Sequence, residues 1–111
     1  MRNSGQVFTS PKRFFVHEKT FDRFADAFAM QAAATVVANC MEEKIEMGPL
    51  AHVRRVEALT AFAEDTKAKG ARVLTGGPPI GNKGYFFAPT VLSVVPDNAR
   101  VMQKKPFGPM A

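Results

Sequence analysis

Apolar and polar positions along the chain fall into short apolar runs and two longer segments of helical period. Arg13 to His17, "RFFVH", is a β-branched and aromatic run of strand length and predicts a buried strand. At Thr20 the period changes. Phe21, Phe24, Ala25, Phe28 and Ala32 share one stripe, so a helix is expected over about 20–36. Thr20 is the expected N-cap, and Asp22 supplies the negative charge favoured in a first turn. The Phe stripe is expected to be core.

Residues 38–50, "ANCMEEKIEMGPL", have no period and end in a Gly-Pro break. A second helix is predicted after it, with Val53, Val56, Leu59, Phe62, Ala63 and Thr66 on one side. Lys67 and Lys69 suit its C-terminal dipole, and Gly70 is a good residue just past its end. "ARVLT" then reads as a strand, Gly76 to Gly84 as a loop, and "YFFAPTVLSVV" as strand material broken at Pro89. Pro96-Asp97-Asn98 starts a short last helix. Strands alternating with helices predict an α/β fold with helices layered on a mainly parallel sheet. There is no internal repeat.

Composition narrows this picture. With 111 residues the chain is at most one domain, and 46% apolar residues including ten Phe give it core material rather than the signature of disorder. The single Cys40 excludes an intrachain disulfide, and no run of apolar residues has membrane-spanning length. The start, "MRNSG", lacks the apolar stretch of a secretory signal, so a cytoplasmic setting is expected. The net charge of +5 raises the question of nucleic acid. The basic residues are spread along the chain among acids, with no finger spacing or aromatic RNA-binding motif, which argues for a solvated surface instead.

Few residues offer independent chemistry. A phosphate-binding P-loop in 76–84 would need Lys where Asn82 stands and a helix after it, and strand material follows. His17, His52 and Cys40 have no metal-ligand spacing, so no metal is expected. Ser10, His17 and Asp22 contain the residue types of a hydrolytic triad, but nearness in sequence says nothing about triad geometry. A lone intracellular Cys such as Cys40 is usually inert packing.

Five blocks taken together carry a resemblance: "NSGQVFTSPKRFFV", "MGPLA", "KAKGARVLTGG", "NKGYFFAPTVLSVVPDNARVM" and "KKPFGPMA". In this order they resemble the catalytic domain of the aldehyde dehydrogenase superfamily, nearest in flavour to its succinate-semialdehyde dehydrogenase-like branch. The resemblance runs over essentially the whole chain and is weakest in "AMQAAATVVANCMEEKIE". It implies oxidation of an aldehyde to an acid: a Cys thiolate attacks the aldehyde, a hydride passes to NAD or NADP, and a Glu-activated water hydrolyses the thioester. A thiolate suits the work because it is a strong nucleophile near neutral pH and a good leaving group.

Both family signatures depart from that chemistry here. The family places its Cys after Asn-x-Gly-Gln-x; the frame Asn3-Ser4-Gly5-Gln6-Val7 leads instead to Phe8, whose benzyl group has no lone pair. The family's Glu-Glu-x-Phe-Gly-Pro, whose second Glu accepts from the nicotinamide ribose hydroxyls, reads Lys104-Lys105-Pro106-Phe107-Gly108-Pro109. Lys105 is a donor-only cation at that ribose position, while Phe107, which the family packs near the nicotinamide, is retained. The resemblance thus implies a partial catalytic domain over 1–111, without a cofactor-binding domain and inactive alone, for which no cofactor is expected. A non-enzymatic module for self-association or protein interaction is the alternative. A homo-oligomer is expected, with "RFFVH" and "TVLSVV" as unpaired sheet edges.

Overall fold

The computed structural model describes residues 2–111; Met1 lies outside them. Two long helices carry most of the architecture: α1 over Glu18–Ala33 and α2 over Val53–Ala68. A small sheet of β1 (Arg72–Thr75) and β2 (Val91–Ser93) follows, then a short helix α3 over Arg100–Gln103.

The predicted strand at 13–17 does not form. Residues 11–17 run without secondary structure, and Phe15 is 96% exposed. The aromatic pattern is satisfied by α1 instead of a ladder: the Phe14 ring lies 5.9 Å from Phe24 and 5.0 Å from Phe28, and those two rings stack at 5.7 Å. Helix α1 starts before the expected Thr20. His17 is its N-cap, its Nδ1 accepting from the Lys19 N–H (3.2 Å), while the Thr20 hydroxyl donates back to the His17 carbonyl (3.1 Å). Nor is the Phe stripe core. Ala32 is the only buried residue of α1; Phe21 and Phe28 are half-buried and Phe24 is exposed.

Helix α2 matches its pattern more closely. Leu59, Phe62, Ala63 and Thr66 recur at three- and four-residue steps and are buried, whereas Val53 at the first turn is exposed. Gly70 adopts φ +86°, and its N–H donates to the Lys67 carbonyl (3.1 Å), closing the helix where a left-handed residue is needed. The core joins Leu59, Phe62 and Ala63 to Leu50, Phe87 and Met110. Truncating Leu59, 1% exposed, to Ala would cost about 2–5 kcal/mol.

The two strands pair antiparallel, Arg72 opposite Ser93 and Val73 opposite Leu92. This one pair is antiparallel because residues 76–90 return as a loop, without the helical crossover that a parallel connection needs. Gly76 is required in that loop: at φ +75° a Cβ would lie 2.3 Å from the Pro89 carbonyl oxygen. Parallel pairing does occur in two bridges, Val37 with Met47 and Thr90 with Met110. The second extends along β2, with the Leu92 N–H donating to Ala111 O (2.8 Å) and the Ala111 N–H to Thr90 O (3.0 Å). β2 is therefore flanked on both sides over residues 90–92, so that part of "TVLSVV" is not the open edge it was expected to be. Helix α3 begins at Arg100, after the Pro96 turn, and its first N–H donates to Asp65 of α2 (2.8 Å).

Candidate active-site remnant

The first described residues form a tight turn, Arg2–Gly5, in which Asn3, Ser4 and Gly5 all have positive φ (49°, 53° and 71°). Such a run is costly for residues with a Cβ and persists only when neighbours fix it. The "MGPLA" segment does so. The buried Ser4 hydroxyl donates to the Gly48 carbonyl (2.8 Å), and Gln6 Oε1 accepts from the Ala51 N–H (3.0 Å). The turn ends by presenting Phe8, 80% exposed, to solvent.

The C-terminal motif packs onto this turn. A Cβ on Gly5, at φ +71°, would sit 2.2 Å from the Gly108 oxygen, so that approach requires glycine, and one on Gly108 would sit 2.4 Å from Leu59 Cδ1 and force the Leu59 side chain to shift. Lys12 joins the two loops, its Nζ donating to the Gly5 carbonyl (3.0 Å) and the Gly108 carbonyl (2.5 Å). Lys105 Nζ donates to the carbonyl of Phe8 itself. Half-buried Phe107 lies beneath the Arg55 guanidinium, 5.4 Å from the ring centre. Phe8, Lys105 and the Phe107-Gly108-Pro109 turn, about a hundred residues apart in sequence, thus share one site.

The charge of the site is positive. Burial, and secondarily the neighbouring Lys105 cation, lower the Lys12 amine from its ordinary 10.5 to about 8. Lys12 was not singled out from the sequence, since "SPKRF" carries no pattern and its partner at Gly108 is remote. The other candidates stay apart. His17 caps α1, no hydrogen bond joins Ser10, His17 and Asp22 among the described residues, and Cys40 is exposed in the loop after α1. The 76–84 loop leads into the bridge at Phe87 and not into a helix. Among the described residues no cluster of metal-ligating side chains forms, and no helix is long and apolar enough to cross a membrane.

Comparison with known proteins decides what this arrangement descends from. The aldehyde dehydrogenase family model matches residues 1–111. The chain belongs to the aldehyde dehydrogenase family. A 4-(hydroxymethyl)benzenesulfonate dehydrogenase of Comamonas testosteroni is 42% identical over 99% of this chain and 22% of its own length. The NAD+ complex of an aldehyde dehydrogenase from Bacillus cereus superposes with a TM-score of 0.94 at 35% identity, over 100% of this chain and 23% of that one. A succinate-semialdehyde dehydrogenase from Burkholderia pseudomallei superposes at 0.92 with 36% identity, over 97% and 22%. The α/β architecture is thus that of a partial aldehyde dehydrogenase domain, and the chain spans less than a quarter of the length of these relatives.

Proposed function

We propose that this chain is one part of an aldehyde dehydrogenase catalytic domain, 1–111, that does not oxidise aldehydes alone. The observation that carries the reading is the side chain at position 8. The turn Asn3–Gly5, its anchors on Gly48 and Ala51 and the Gly108 turn against it form a rigid frame, and the frame presents a benzyl group. A phenyl ring cannot form the bond to an aldehyde carbon that a thiolate forms.

The residues present do not fit a nicotinamide cofactor either. Where a ribose hydroxyl would seek an acceptor, Lys105 offers only N–H donors, one of which goes to the Phe8 carbonyl. Phe107 has the apolar ring suited to lie near a nicotinamide, but the Arg55 guanidinium already lies over that ring. NAD or NADP belongs to the family's chemistry, and no step is assigned to it here. Aldehyde-dependent NADH formation by the purified chain is expected to equal a no-protein blank, at neutral and at high pH. Turnover above that blank would overturn the reading.

A second reading, a non-enzymatic module that associates with itself or another protein, is favoured by Phe8 and Phe15, 80% and 96% exposed. It predicts a homo-oligomer in a cytoplasmic setting, without nucleic acid. Light scattering at several concentrations tests it, and a concentration-independent monomer would count against it.

A further inference from the structure

One side chain ties the turn at Gly5 to the turn at Gly108. Lys12 Nζ donates to the Gly5 carbonyl (3.0 Å) and to the Gly108 carbonyl (2.5 Å), and Lys12 is the only lysine of the chain that is not exposed. Among the described residues no carboxylate pairs with it; the one ion pair joins Lys69 to Asp65. The charged groups on its side are all cations: Lys105, anchored on the Phe8 carbonyl, with Arg13 and Lys104. Two carbonyl acceptors without an acid are compatible with a neutral amine. Such an amine has two N–H groups, one for each carbonyl, and a lone pair left for a third direction. Burial, and secondarily the Lys105 charge, lower the Lys12 amine to about 8. Near pH 8 roughly half of it is therefore neutral, against under about 1% of an ordinary lysine.

We propose that Lys12 is a carbon dioxide site, its amine forming a carbamate that the Lys105 ammonium stabilises. The Nζ lone pair attacks the carbon of CO2, an N–C bond forms as one C=O pair moves onto oxygen, and the nitrogen passes one proton to water. The balance is R–NH2 + CO2 → R–NH–COO− + H+, with nothing oxidised or reduced. Charge selects this electrophile. The adduct turns a cation crowded by another cation into an anion beside it, so repulsion from Lys105 becomes attraction. An aldehyde adduct would be an iminium that keeps the positive charge, or a neutral imine that answers none of the cations. The carbamate nitrogen keeps one N–H for one of the two carbonyls. CO2 is small and uncharged, so it reaches a half-buried amine without an open groove. The groups that hold and tune the amine are Gly5, Gly108 and Lys105. The chemistry needs neither a thiolate at position 8 nor a cofactor.

The test is carbon-13 NMR of the whole chain with labelled bicarbonate at pH 8, whose dissolved CO2 is the reagent. The carbamate is then trapped as its ethyl ester with triethyloxonium ion and located by peptide mapping. A saturable carbamate resonance is expected, with ester on Lys12 about tenfold or more above that on any exposed lysine. Mapping separates this ester from one on an α-amino group. Lowering the pH to 6.5 should remove the Lys12 signal as the amine protonates, and returning to pH 8 should restore it. Lys105→Gln should reduce the Lys12 carbamate by about twofold to fivefold, because it removes the cation that stabilises the anion and disfavours the ammonium. Equal urea midpoints at pH 7 check that this variant is folded. Lys12→Arg should abolish the resonance, and mapping on the native chain identifies the site even if that variant does not fold. The proposal is overturned by ester spread evenly over the exposed lysines, by no ester at Lys12, or by a folded Lys105→Gln variant whose Lys12 carbamate is unchanged.

Discussion

Lys12 is a cation withdrawn from water beside a second cation, and this makes the pH dependence of its contribution specific. The unfolded chain holds the Lys12 proton up to about its ordinary 10.5, whereas the folded chain releases it near 8. Between these values unfolding takes up a proton, so raising the pH disfavours unfolding, and the Lys12 contribution rises from about pH 8 to 10.5. The full interval corresponds to roughly 3 kcal/mol. Lys12 is only partly withdrawn from solvent, and screening reduces the realised change to about 1–2 kcal/mol. Its two hydrogen bonds, to Gly5 and Gly108, oppose the release and also favour the smaller figure. Urea unfolding at intervals from pH 7 to 9.5, for the native chain and for Lys12→Met, isolates the effect, because the other titrating groups are common to both. The native chain should gain stability relative to the variant across this window. Parallel curves, or a relative loss as pH rises, would refute the electrostatic account of the site.

Two further outcomes follow from the geometry. Gly5→Ala forces a Cβ to within 2.2 Å of the Gly108 oxygen at a φ of +71°, and should cost about 1–3 kcal/mol in denaturant unfolding, where an exposed glycine such as Gly81 tolerates the change better. Asp65 accepts from the first N–H of α3 and pairs with Lys69 (3.0 Å), and its carboxyl lies below the usual carboxylate range chiefly because of the Arg100 N–H. Its stabilising contribution is present above the unfolded value of 3.8 and lost as pH falls through the lower folded value, so Asp65→Asn should lower Tm at pH 6, with the difference shrinking below pH 3.8.

What the sequence made legible follows from range. Helix α2 was readable because its apolar stripe, Lys67 and Gly70 all act within a few residues of one another. β1 was readable because "RVLT" is followed by glycines that must turn. "RFFVH" misled because an aromatic, β-branched run satisfies its rings as well against α1 as in a ladder, and only tertiary contacts choose. The His17 cap was missed because the imidazole Nδ1 takes the accepting role that Thr20 gives up by bonding backwards. Phe8, Lys105 and Phe107 stood out by resemblance, but their shared site, and Lys12 within it, depend on contacts between residues nearly a chain length apart. The exposure of Phe24 was hidden for a related reason: a Phe stripe reads as core whatever its tertiary surroundings.

The proposed reading is that restoring two side chains does not give these 111 residues a working dehydrogenase site. Introducing Phe8→Cys and Lys105→Glu together restores both family signatures on the same frame. One charge-assisted ribose contact contributes about 1.5–3 kcal/mol, and even millimolar affinity requires roughly 4 kcal/mol. Reaction of the new thiol with a small thiol reagent, faster than at Cys40 alone, should show position 8 to be accessible. Calorimetric titration of this double variant with millimolar NAD is then the most direct measurement. No saturable heat is predicted; a clear saturable heat, with aldehyde oxidation returning alongside it, would contradict the claim.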